Sequence, residues 1–195
     1  TKDVIKLMDA AGLDYIIVET VGVGQTELDV MGMTDTVLVA LVPEAGDGVQ
    51  VMKAGLMEIA DIFVVNKADR DGSQRMMTEL SLMLELKYSS RPADGAPQSP
   101  WRIPVLATEA INGTGLPELL QSIQEHHASS IESGELERRR AARRREELIS
   151  RVEYEVRKRL TARAQTDPEL SRYFDAVGAG TLDPYSASNK ILESS

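Results

Sequence analysis

Cysteine is absent from this chain of 195 residues, which excludes disulfides and thiolate metal sites and agrees with a reducing compartment; we expect the cytoplasm. Histidine is scarce. The two present, His126 and His127, are adjacent and cannot share one helix face, whereas helical metal ligands need i,i+4 spacing, so no metal is expected there. No apolar run approaches the roughly 20 residues that a membrane helix requires, so no membrane span is expected. No secretory leader is visible. Basic charge is not in excess: the formal net charge is −9, and general nucleic-acid affinity is not expected. The chain opens on Thr1 in a sequence that already reads as helix, and we expect the true N-terminus to lie upstream.

Two stretches organise what is there. Residues 14–25, DYIIVETVGVGQ, begin with a β-branched apolar run that reads as a buried strand. The run stops at Glu19, and Gly22 and Gly24 follow. An acid where a buried strand emerges can hold Mg²⁺ directly or through water, and a glycine three residues on lets a backbone N–H approach a terminal phosphate. A core strand ending in a glycine turn is the alternative. Residues 61–69, DIFVVNKAD, form a second apolar strand ending in Asn66-Lys67-Ala68-Asp69, the N-K-x-D signature of GTP-binding proteins.

In chain order the pattern predicts a surface helix over 3–11 and strands at 14–18, 36–42, 61–65 and 103–107. Helices are expected over 49–60, 71–86 and 116–127, the last with Pro117 in its first turn. Continuous apolar strands alternating with helices describe parallel βαβ units. Residues 88–100 hold three of the eight prolines and read as a surface insertion. From Ser133 the chain becomes charge-laced. Leu148, Val152, Val156 and Leu160 recur every four residues and give a long helix a narrow apolar seam. Its arginines, Arg138 to Arg140 and Arg143 to Arg145, alternate with glutamates and are expected to pair on a solvated helix surface. Trp101 reads as a packing plug, and residues 165–195 as one short helix with a poorly specified tail. The expected organisation is a domain over 1–132 and a helical arm with tail over 133–195.

In an open parallel sheet ligands bind at the carboxyl ends of the strands, where Glu19, Gly22, Pro43, Asn66, Asp69 and Thr108 should converge. A carboxylate at position 69 would accept hydrogen bonds from N1–H and the exocyclic amine of guanine; adenine lacks that donor pair. The stem of Lys67 would lie along the base, and Asn66 would brace the neighbouring loops. The alternative is an ordinary strand-to-helix turn with Asp69 as a helix cap. Glu19 would bind Mg²⁺, Gly22 would meet the γ-phosphate, and loss of that phosphate would release the loop. A water-positioning role for Gln25 is open.

The runs ETVGVGQTE at 19–27 and VPEAGDGVQVMKAGLMEIADIFVVNKAD at 42–69 resemble the MeaB/ArgK family over roughly residues 1–163. This family comprises P-loop GTPases that assist methylmalonyl-CoA mutase, also described as LAO/AO transport ATPases. The resemblance implies a three-layer α/β parallel-sheet fold of the P-loop NTPase kind and a C-terminal helix that serves as a homodimer arm. It implies that Glu19 is the Mg²⁺-site acid, Gly22 the second-switch glycine, and Asn66, Lys67 and Asp69 the guanine-specificity residues. Thr108, Glu109 and Ala110, with Ile111, would form the base-side loop. Residues 44–53, with Asp47, Gln50 and Lys53, would form a switch that senses the mutase. GTP hydrolysis would be coupled to loading adenosylcobalamin onto that enzyme and protecting it. One departure stands out: G-x-x-x-x-G-K-[ST] occurs nowhere in the chain, so these residues alone are expected not to hydrolyse GTP. A nickel-enzyme accessory GTPase and a non-catalytic binding module are the rival readings.

Overall fold

The computed structural model describes residues 2–20, 32–43, 55–89 and 101–193. In chain order its elements are α1 (Lys2–Ala10), β1 (Leu38–Leu41), α2 (Leu56–Ile59), β2 (Ile62–Asn66) and α3 (Ser73–Ser89). Then come β3 (Val105–Thr108), α4 (Leu116–Glu132), α5 (Glu135–Ala164), α6 (Pro168–Gly178) and α7 (Pro184–Glu193). The chain divides into two compact units, Thr1–Arg143 and Arg144–Ser195.

The first unit is built on a parallel sheet in the order β1-β2-β3, with Leu38 opposite Ile62, Phe63 opposite Val105 and Asn66 opposite Thr108. β2 is central, and Ile62, Phe63, Val64 and Val65 are all buried, as a strand covered on both faces must be. Phe63 and Val65 join Val39 and Leu41 in one core cluster with Leu56 and Ile59 of α2 and Met76, Leu80 and Leu84 of α3. The α3 residues recur every four positions and so form one helix stripe. Each such side chain contributes about 1.5–3 kcal/mol by leaving water. Ile62 and Val64 point to the opposite face, because side chains alternate along a strand. α4 packs against β3, and its buried residues, Ser122, His126 and Ser130, are also spaced by four. That stripe is polar, so each member requires a partner. The ladder of β3 begins after Pro104, which gives its carbonyl to the Phe63 N–H at 2.9 Å but has no N–H of its own.

Two expectations about structure are corrected. Residues 14–18 form no strand: the segment is irregular and largely exposed, with Ile17 at 93%. An apolar run becomes a strand only where a neighbouring strand accepts its hydrogen bonds, and among the described residues this segment has none. The tail is also better ordered than expected, with two helices instead of one. The Asp167 carboxylate caps α6 by accepting the Glu169 and Leu170 N–H groups at 3.0 and 3.3 Å, and Pro168 supplies the preset first turn. Asp183 accepts the Ser186 N–H at 2.9 Å ahead of Pro184, the same device at α7. In the second unit α6 packs on α7, burying Leu170 and Ala187. Leu148, Val152 and Val156 of the α5 seam are exposed. Among the described residues no helix is long and apolar enough to cross a membrane.

Candidate functional site

The carboxyl ends of β2 and β3 carry loops that are tied together. β2 ends at Asn66, and the next residue, Lys67, adopts the left-handed conformation at φ 57. A side chain in that region costs about 1–2 kcal/mol, and such strain persists only where surrounding bonds impose it. Here they do. The Ala68 N–H donates to the Thr108 carbonyl at 3.0 Å, the Arg70 N–H donates to the Lys67 carbonyl at 3.0 Å, and the buried Ser73 hydroxyl donates to the Ala68 carbonyl at 2.9 Å. α3 begins only at Ser73, four residues past Asp69, so Asp69 stands exposed on the turn, not at the helix cap.

Across the rim, the Asn66 side-chain oxygen accepts two hydrogen bonds of 3.2 Å, from the Thr108 hydroxyl and from the Ala110 N–H. The Ala110 amide can only donate, which identifies the Asn66 oxygen and leaves its NH₂ as the other end. Thr108 is 3% exposed. The Glu109 N–H donates to the Thr114 carbonyl at 3.0 Å, and the Glu109 carboxylate accepts from the Asn112 side chain at 3.1 Å. Asn66, Thr108 and Ala110 are therefore joined directly, and Lys67 and Asp69 share the turn beside them. Pro43, after β1, lies against this turn, 3.8 Å from where a Cβ on Gly72 would sit. Glu19 is exposed in the irregular segment, and no strand brings it to the rim. Gly22, Gln25, Asp47, Gln50 and Lys53 lie outside the described residues.

The amino ends of the same strands hold a second polar cluster that sequence reasoning missed. Asp61, 5% exposed just ahead of β2, accepts the Val37 N–H at 2.9 Å and the Arg139 guanidinium at 3.2 Å. His126, 2% exposed, places Nε2 at 3.3 Å from the same carboxylate and Nδ1 at 2.9 Å from the Thr36 hydroxyl. The Trp101 indole donates to the Asp61 carbonyl at 2.8 Å and meets the His126 ring edge-on at 5.1 Å. Arg143 donates to the Thr34 carbonyl at 2.7 Å, and Arg140 and Arg143 both pair with Asp35. Pairing along the helix surface thus holds for Arg138 and Arg139 with Glu135, while Arg139 also reaches Asp61, and Arg140 and Arg143 reach Asp35 ahead of β1. Burial would raise the Asp61 carboxyl, but His126, the Val37 N–H and Arg139 outweigh it and hold the carboxyl below its ordinary value. Burial likewise opposes ionisation of Asp35, and Arg140 and Arg143 win there too.

The fold is that of a P-loop NTPase-like α/β domain. A crystal structure of an LAO/AO transport system kinase matches 98% of this chain and 60% of its own, with a TM-score of 0.67 and 30% sequence identity. The family model described as methylmalonyl Co-A mutase-associated GTPase MeaB matches residues 1–165, and the chain belongs to this family. Similar proteins include a putative GTPase of Pyrococcus horikoshii, 43% identical over 99% of this chain and 58% of its own length. The GTPase ArgK of Escherichia coli is 33% identical over 98% of this chain and 57% of its own. A mitochondrial methylmalonic aciduria type A homolog of Caenorhabditis elegans is 34% identical over 79% of this chain and 38% of its own. The chain thus spans under two-thirds of the length of these relatives.

Proposed function

We propose that this chain carries the base-reading half of a GTPase that serves a cobalamin-dependent mutase. The carrying observation is the Asn66–Lys67–Ala68–Asp69 turn at the carboxyl end of a buried parallel strand, tied by Asn66 to Thr108 and Ala110. In this reading the exposed Asp69 carboxylate accepts from guanine N1–H and the 2-amino group. Lys67 lays its stem on the base, and the backbone of residues 108–110 closes the base edge. The same reading takes Glu19 as the Mg²⁺-site acid and Gly22 as the γ-phosphate contact, and assigns Asp47, Gln50 and Lys53 to partner sensing.

The exposed carboxylate of Glu19 is a hard oxygen donor of the kind Mg²⁺ takes beside waters and phosphate oxygens. When bound, that ion would neutralise charge on the β- and γ-phosphate oxygens. In hydrolysis the oxygen of a water attacks the γ-phosphorus as its bond to the β–γ bridging oxygen breaks, giving GDP and phosphate. The coupled task is loading and protection of methylmalonyl-CoA mutase. The exposed α5 seam of Leu148, Val152 and Val156 supports a homodimer through that helix.

The test is titration of the full-length gene product with GTP and with ATP, beside Asp69→Asn. Asp69→Asn should weaken GTP binding about tenfold or more and relax the base preference. Unchanged guanine selectivity would remove the role given to Asp69.

A further inference from the structure

The loop after β3 is closed on itself in an unusual way. It leaves the strand at Thr108 and turns through residues 109–114, where the Glu109 N–H donates to the Thr114 carbonyl at 3.0 Å and the Asn112 N–H to the Glu109 carbonyl at 3.0 Å. It then returns to the carboxyl end of the strand at Gly115. Gly115 has φ +76, and a Cβ built there would lie 2.2 Å from the Ala107 carbonyl oxygen, 3.2 Å from its carbon and 3.3 Å from the Thr108 Cα. All three atoms are backbone, so no side chain can swing away to make room. Real Cβ atoms essentially never come within 3.0 Å of another atom, so the first of these contacts is forbidden. Gly113, two residues earlier, has nearly the same backbone, φ +75, but nothing within 4 Å of its would-be Cβ. The two glycines therefore separate a steric requirement from a conformational one.

What the close approach controls is the base-side edge. Ala107 and Thr108 are the last residues of β3, paired with Val65 and Asn66 of β2. The Thr108 carbonyl holds the Ala68 N–H of the Asp69 turn, and the Thr108 hydroxyl and the Ala110 N–H hold Asn66. Pushing Gly115 off the Ala107 carbonyl displaces the whole ring of residues 109–114 relative to these bonds. We propose that Gly115 is a positioning residue for base recognition. Its bare α-carbon lets the loop seat against β3, and that seating sets the register between the Ala110 backbone and the Asp69 carboxylate. This inference rests on the guanine-site reading above.

The experiment compares Gly115→Ala with Gly113→Ala in the full-length gene product. GTP and ATP affinities are measured by titration calorimetry, and melting temperatures in parallel. Both substitutions put a side chain on left-handed backbone, so a loss of stability alone moves both. Gly113→Ala should keep the ratio of GTP to ATP affinity within about twofold, whereas Gly115→Ala should lower it about tenfold. Should Gly115→Ala not fold, a glycine inserted between Gly113 and Thr114 unseats the loop without adding a Cβ, and the same fall in the ratio is expected. Wild-type protein that binds GTP and ATP alike would overturn the guanine-site reading itself. Selective wild-type protein with undiminished selectivity in Gly115→Ala, or in the insertion variant, would overturn the role of Gly115 alone.

Discussion

β2 carries an aspartate beyond each of its ends, and the two live in opposite circumstances. Asp61, at the amino end, is buried and saturated: the Val37 N–H, Arg139 and His126 all converge on it. Asp69, at the carboxyl end, is exposed on a turn whose backbone is strained at Lys67. The amino-end rim pairs its buried acid within the chain, whereas the carboxyl-end rim ties Asn66 to Thr108 and Ala110 and leaves the Asp69 carboxylate exposed. Mutually satisfied buried groups specify and hold a fold, whereas an exposed acid on an over-determined turn is held ready for something outside the chain. The N-K-x-D residues lie on the second rim, which is where the proposed nucleotide site has to be.

The comparison breaks first at Asp61. Asp61→Asn should destabilise the first unit by roughly 2–4 kcal/mol, less than a fully buried pair because Arg139 is part-exposed, and leave base preference untouched. Denaturant unfolding with parallel GTP and ATP titrations checks both halves, and a shift in base preference would dissolve the division between the rims. Acid should act on the same rim. The Asp61 and Asp35 carboxyls lie below the ordinary aspartate value of 3.8 in the folded chain. Their contribution is therefore complete above that value and is lost as pH falls through the lower, folded values. Melting curves below pH 4 should show wild type losing stability more steeply than Asp35→Asn; equal slopes would remove the rim as the cause. In the second unit, Asp167→Ala should loosen the first turn of α6, seen as faster amide exchange confined to that helix. The smallest effect belongs to Lys67→Gly. Relief of the left-handed strain is offset by the added freedom of glycine in the unfolded chain, so stability should change by less than about 1 kcal/mol while GTP affinity falls.

These contrasts also mark what was legible in the residues alone. Ile62 to Val65 read as a buried strand and are one, with Asn66 to Asp69 on its carboxyl end. Ile16 to Val18 look equally strand-like but take up no ladder, because composition reports a preference and pairing needs a partner. Asp167-Pro168 and Asp183-Pro184 carried a readable signal, a capping acid before a first-turn proline, that the polar composition of the tail obscured. The arginines were read as solvated because glutamates surround them in sequence. The partners of Arg139, Arg140 and Arg143 lie 78, 105 and 108 residues away, which no local pattern encodes. The bond from Ala110 to Asn66 spans 44 residues and was equally invisible.

The 78-residue separation between Asp61 and Arg139 has a consequence in time. On a ribosome adding about 5–20 residues per second, the first partner of that salt bridge is made roughly 4–16 s before the second. Through that interval the hydrophobic strand following Asp61 exists without the helix whose guanidinium neutralises its buried acid. A nascent chain halted before residue 139 should therefore be the form most exposed to chaperones, and its release should follow synthesis of the arginine-rich start of α5.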